Sequence, residues 1–338
     1  MAKTNARFWA GSTLAILLAL VATTQPACNI VHKSVEVEKL LTPLAEAETA
    51  QLIDSVNRLV GPTSIRGKVD IQFEDTSFAT SGVAEKYRTA DGTIIVQRPG
   101  KVYLIVQGPL AIDIAQMTSD GEHFRVAILK GEDKYKRFVR GTNAAVYSKM
   151  DGNPNDPAVK GKPNTEVQTV KALSNLRPQH LTDALMIRPI DPHAAGMFYA
   201  RSEFFQSEKD PASKKRVVRG YYLLDELQAG SDGSAKLMRR FWFNRVNAIQ
   251  LARLQTFDDR GALTTDVTYA DFKPFGENGQ IVLPAKISLT RPQDHYQISL
   301  TYQSPESVVL NREYPPEAFV LENKWSLQEV DLDAQKKP

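Results

Sequence analysis

Five histidines and one cysteine are the side chains of this 338-residue chain most suited to metal binding or nucleophilic chemistry. His32, His123, His180, His193 and His295 are scattered, with no pair at the helical spacing a zinc site needs and no thiol beside them. His123 and His295 fall in expected strands, where a surface or hydrogen-bonded imidazole is the plainer reading. No Gly-x-Ser-x-Gly elbow occurs, and Cys28 lies too near an apolar segment to be a catalytic nucleophile. Gly61-Pro62-Thr63-Ser64-Ile65-Arg66-Gly67-Lys68 imitates a phosphate loop. It has one residue too many between its glycines and Val69 where a hydroxyl must meet magnesium. Asp151-Gly152-Asn153-Pro154-Asn155-Asp156 opens like a calcium loop, yet Asp156 replaces the turn glycine and Lys162 stands where a bidentate Glu is required. Acids are plentiful, but nothing marks a catalytic pair. The expectation is a protein that is not an enzyme, with no metal and no cofactor.

Cys28 has a different use. Lys3 and Arg7 precede an apolar run from Phe8 to Ala22, which is short of the roughly 20 residues of a stable membrane span. Gln25-Pro26-Ala27-Cys28 then resembles a bacterial lipobox, although Gln25 replaces the usual aliphatic residue. Residues 1–27 are expected to be a signal peptide, and Cys28 the lipidation site that anchors the chain to a membrane. Plain secretion into the periplasm and an uncleaved anchor are the alternatives. A lone cysteine cannot form an intrachain disulfide, and lipidation gives it a purpose. Asn29 follows it, whereas Asp at that place retains lipoproteins in the inner membrane, so the expected location is the outer membrane, facing the periplasm.

The remaining composition fits an ordinary globular protein, 42% hydrophobic and 24% charged. Taking Lys3 and Arg7 from the 42 basic residues leaves 40 against 39 acids, so no electrostatic case exists for a nucleic-acid partner. Lys214, Lys215, Arg216 and Arg219 form a local cluster that reads as a charged strand edge.

Residues 28–42 read as a tether. Thr42-Pro43 looks like a helix start, and Leu52, Ile53, Val56 and Leu59 recur at helical spacing, which predicts an amphipathic helix over 43–60 ended by Gly61-Pro62. From Ile65 the period is two. Strands are expected at about 65–73, 78–89, 93–98, 101–107, 110–118, 122–129 and 134–140, with Asp91-Gly92 and Asp120-Gly121 as turns. A polar loop over 150–164 and helices over 166–176 and 178–186 precede a second run of strands from 197 to 303. No low-complexity linker divides the halves. One antiparallel meander over 43–330 with a polar tail over 331–338 is therefore favoured.

Several phrases follow an order that resembles the LolA/LolB-like superfamily of lipoprotein carriers and receptors. They include Val96-Gln97-Arg98-Pro99-Gly100-Lys101, Thr118-Ser119-Asp120-Gly121, Arg177-Pro178-Gln179-His180-Leu181 and Asp258-Asp259-Arg260-Gly261. Leu283-Pro284-Ala285-Lys286 and Pro316-Glu317-Ala318-Phe319 continue it, so the phrases span about 45–325. The resemblance implies a mainly β fold, a curved antiparallel incomplete barrel whose apolar concave face is capped by helices. It also implies a cavity for the acyl chains of lipids or lipoproteins. Val102, Leu104, Val106, Ile112, Ile114, Phe124, Val126 and Ile128 are the cavity candidates, and plain core packing is their alternative reading. Leu52, Ile53, Val56 and Leu59 would form the lid. The competing functional reading is a structural or assembly lipoprotein that holds a partner protein in the envelope.

Overall fold

In the computed structural model the described residues are 37–76, 85–86, 89–131, 133, 136–143, 145, 178–210, 213–277, 279 and 281–334. The signal peptide, Cys28, most of the tether, the 150–164 loop and the expected 166–176 helix lie outside them.

Lys39–Pro338 form one compact unit. It begins with β1 (Lys39–Leu40) and a first helix, Thr49–Leu59. Then come β2 (Ser64–Asp75), β3 (Glu85–Lys86), β4 (Ala90–Gln97), β5 (Lys101–Gln107), β6 (Asp113–Ser119), β7 (His123–Ile128) and β8 (Arg137–Thr142). A second helix, Pro178–Leu185, leads to β9 (Met197–Lys209), β10 (Arg216–Ala229), β11 (Ala235–Asn244) and β12 (Gln250–Phe257). After them run β13 (Leu263–Phe275), β14 (Ile281–Arg291), β15 (Tyr296–Tyr302), β16 (Val309–Leu310) and β17 (Gln328–Asp331). No described helix is long and apolar enough to cross a membrane.

From β9 to β15 each strand pairs antiparallel with the next, and the same holds from β4 to β8. β2 joins the two runs, pairing β15 on one side through Ile298↔Phe73 and Leu300↔Ile71 and β4 on the other. β17 adds in parallel to β8 at the far edge. Among the described residues no pairing links β9 to β17, so the sheet is open. Register shifts leave an extra residue in β11 (Met238), β12 (Ala252), β13 (Thr264) and β6 (Ile114), bulges that bend the strands and curve the sheet. The expected mainly β, incomplete-barrel fold is the observed one.

Alternation decides which face is apolar. Val69, Ile71 and Phe73 of β2, Ile94 and Val96 of β4, Tyr222 and Leu224 of β10, and Ile298 and Leu300 of β15 share one buried cluster with both helices. Residues 312–327 cross the other face. There Tyr314 and Phe319 pack on Ile95, and Leu321 packs on Ala127 and Phe138.

Three local expectations are corrected. The first helix starts at Thr49, where Glu48 and Gln51 form a capping box. Residues 42–47 instead run beside the sheet: Leu44 bridges Val246, and Asn247 donates its N–H to the Pro43 carbonyl. Asp91-Gly92 is no turn but lies inside β4. A Cβ on Gly92 would sit 2.5 Å from Ile71 Cδ1 and 2.8 Å from the Ile105 carbonyl, so the glycine serves close strand approach. The boundary expected at 330 falls within β17, and Leu332 beyond it is buried, its N–H on the Arg140 carbonyl.

Candidate functional site

The concave face and its two helices form the first candidate site. Leu52 and Val56 are fully buried, Ile53 nearly so, and Leu59 packs at the margin of the same cluster. Leu181 and Ala184 come from the second helix, and Met186, Ile187 and Ile190 from the segment after it. Val102, Leu104, Val106, Phe124, Val126 and Ile128 lie in this cluster, and the second helix packs on β4, β5 and β6 while the first packs on β9 and β12. Ile112 and Ile114 do not join it. The pairing passes from Val106↔Ala115 to Gln107↔Asp113, which leaves Ile114 as the extra residue of a bulge and turns Ala115 and Met117 to the core. Ile112 precedes the strand and is 46% exposed.

Polar side chains fasten the helices at few points. Arg98, at the β4–β5 turn, donates to four carbonyls: Pro62 (3.1 Å) and Val60 (3.2 Å) after the first helix, Ile187 (3.1 Å) and Met186 (3.4 Å) after the second. Burial pulls its pKa down, and the carbonyls replace the water it lost. Asn57 binds the backbone of Ile190 in both directions. His180 Nδ1 lies 2.8 Å from the Tyr296 hydroxyl, and the Tyr269 hydroxyl donates to the Ala184 carbonyl at 3.1 Å. At the entry to the first helix, Arg245 pairs with Glu46 and Glu203 and lies over the Tyr222 ring. The Tyr222 hydroxyl in turn donates to Glu46, whose pKa this hydrogen bond lowers.

A second, polar site opens beside the second helix, a cleft of about 560 Å³. Glu226 and Arg239 are buried in its floor as a bidentate ion pair, and Arg239 also donates to the Arg188 carbonyl at 2.8 Å. Arg291, in the wall, is held by Asp294 and the Thr265 hydroxyl. Asp183 touches solvent at the mouth but is walled by protein behind. That desolvation pushes its pKa up, against the pull of Arg188, Arg291 and Arg239. Met197, Met238 and Phe257 supply an apolar side. The alternation of β10 carries a signal for this cleft: Glu226 occupies the inward place that continues Tyr222 and Leu224.

A third feature is the β5–β6 turn. Leu110 is 93% exposed with φ of 63°, and Ala111 follows at 54°. Non-glycine residues rarely adopt this left-handed conformation, so the turn holds an apolar side chain outward at a conformational cost.

No protein-family model and no curated protein matches the chain. Among solved structures, the chain is similar to a DUF1329 family protein from Desulfovibrio piger, with TM-score 0.40, 10% identity, and 83% of this chain and 98% of that one covered. It is similar to a LolA superfamily protein from Nitrosomonas europaea at TM-score 0.40 and 12% identity, covering 81% and 99%. A domain assigned to outer membrane lipoprotein sorting, from Vibrio parahaemolyticus, aligns at TM-score 0.38 and 10% identity over 80% and 94%.

Proposed function

We propose that this protein is an exported lipoprotein that carries acyl chains of lipids or lipoproteins between its concave sheet face and its two helices. One observation carries the reading: a continuous apolar sheet face is covered by helices that side-chain clasps hold in place. Arg98 and Asn57 grip carbonyls and amides that water could satisfy equally once the helices lift. The exposed apolar face would then need a replacement, and an acyl chain supplies it at about 0.8 kcal/mol per buried methylene. Leu110 is suited to touch a membrane or an acylated cargo, because a lone leucine at a turn tip gains by leaving water. Cys28 would be the anchor and the outer membrane the location.

Mass spectrometry of protein extracted under native conditions tests the proposal. Co-purifying acyl lipid supports it. An empty protein that also fails to take up a fluorescent fatty acid at micromolar concentration would overturn it. One feature favours the partner-holding alternative. Among the described residues β9, 13 residues long, pairs only with β10, and Phe198, Phe204 and Phe205 on it are exposed, a surface to which an extended segment of a partner could add.

A further inference from the structure

The cleft beside the second helix carries charges that its own contacts do not use. Glu226 and Arg239 neutralise each other in the floor, and Arg291 is committed to Asp294 and Thr265. Arg188 and Asp183 remain, both exposed and both lining the cleft. Neither side chain makes a hydrogen bond or a salt bridge to a described residue. We propose that this cleft binds a zwitterionic head group, with a phosphate on Arg188 and an ammonium on Asp183, as in a phosphoethanolamine. This deepens the acyl-carrier reading and rests on it for the source of the head group.

The charges select this class against its neighbours. A purely anionic head group would satisfy Arg188 but lie against the Asp183 carboxylate. A purely cationic one would satisfy Asp183 but lie against the Arg188 guanidinium. Only a ligand with both signs leaves neither free charge opposed. The position fits an amphiphile as well. His180 lines the cleft and also meets Tyr296, in the apolar core, through Nδ1. The second helix thus gives Gln179, His180 and Asp183 to the cleft and Leu181 and Ala184 to the apolar cluster. Met197, Met238 and Phe257 offer apolar contact for the glycerol backbone and the first methylenes outside the lid. The same head-group chemistry could also arrive as a soluble phosphoethanolamine compound with no acyl chain.

Displacement of a fluorescent fatty acid from the full chain separates these cases. The competitors are lysophosphatidylethanolamine and lysophosphatidylglycerol with the same acyl chain, and glycerophosphoethanolamine is titrated alone by calorimetry. The wild type should prefer the ethanolamine lipid by about tenfold, the size of one charge-assisted hydrogen bond. Asp183→Asn should erase that preference while keeping affinity for the glycerol lipid. Arg188→Gln should weaken both lipids and leave the fatty acid probe unchanged. If the probe binds but the two lipids compete equally, or Asp183→Asn keeps the preference, the head-group site is wrong and the acyl-carrier reading stands. If no acyl compound binds while glycerophosphoethanolamine does, the carrier reading falls and the cleft is a site for a soluble zwitterion. If nothing binds, both are overturned.

Discussion

Asn57 and Ile190 form a reciprocal pair. Asn57 Nδ2 donates to the Ile190 carbonyl at 2.9 Å, and the Ile190 N–H donates to Asn57 Oδ1 at 2.8 Å. One side chain on the first helix thus completes the backbone of the segment that follows the second, so the two caps are fastened to each other as well as to the sheet. Asn57→Ala would leave both backbone groups without that partner, at a cost of about 1–3 kcal/mol. A lowered thermal midpoint is expected, with faster hydrogen exchange in both helices. Faster exchange in the first helix alone would mean that the pair does not couple them.

Arg98 should matter more, since it reaches carbonyls from both caps. Arg98→Ala removes four acceptors' partner at once and should cost on the order of 3 kcal/mol. Limited proteolysis would show it as cleavage near both helices before global unfolding. Arg98→Lys should recover only a part, because an ammonium cannot span four carbonyls as a guanidinium fork does.

The elements legible in the sequence were those set by neighbours along the chain. The spacing of Leu52, Ile53 and Val56 marks the buried helix face, and strand alternation places β5 at its observed bounds. The first helix's start was not legible, because Leu44 is held by Val246, about two hundred residues away. Ile114 read as a core-facing strand position because nothing local announces the bulge that leaves it unpaired within β6. The cleft draws Asp183, Glu226, Arg239 and Arg291 from four elements, so only the charge of Glu226 amid apolar neighbours hinted at it.

Asp183 gives a pH dependence whose sign is fixed by its raised pKa. The folded protein holds that proton more tightly than the unfolded chain does. The favourable contribution is full below the unfolded aspartate pKa and is lost as pH rises through the higher folded value. Asp183→Asn cannot lose it. Its thermal midpoint should match the wild type in acid and exceed it at neutral pH. A constant offset across that range would show that the carboxyl does not titrate abnormally.

Cys28 is testable without reference to the fold. Metabolic labelling with a fatty acid should mark the wild type and not Cys28→Ser, and the variant should leave the membrane fraction. Equal labelling of both would rule out this residue as the anchor and favour secretion or an uncleaved segment.

Enlarging the concave face tests whether lid and cargo compete for one space. Val106 is buried on β5, the strand beneath the second helix, in the cluster that also holds Leu52, Val56 and Leu181. Interiors of this kind are close-packed, so Val106→Phe must strain the closed arrangement, typically by about 1–3 kcal/mol. In a dry, permanent core that strain would lower global stability and nothing more. In a carrier the helices are the part free to move, so the strain should appear first as faster hydrogen exchange in both of them. The added ring would also occupy acyl-chain space, and uptake of a fluorescent fatty acid should fall. Ile112→Phe is the control, since Ile112 is exposed and precedes β6 outside the core. It should change neither exchange nor uptake. Uptake that is insensitive to Val106→Phe would place the acyl site elsewhere, because a chain lying on this face could not avoid the new ring.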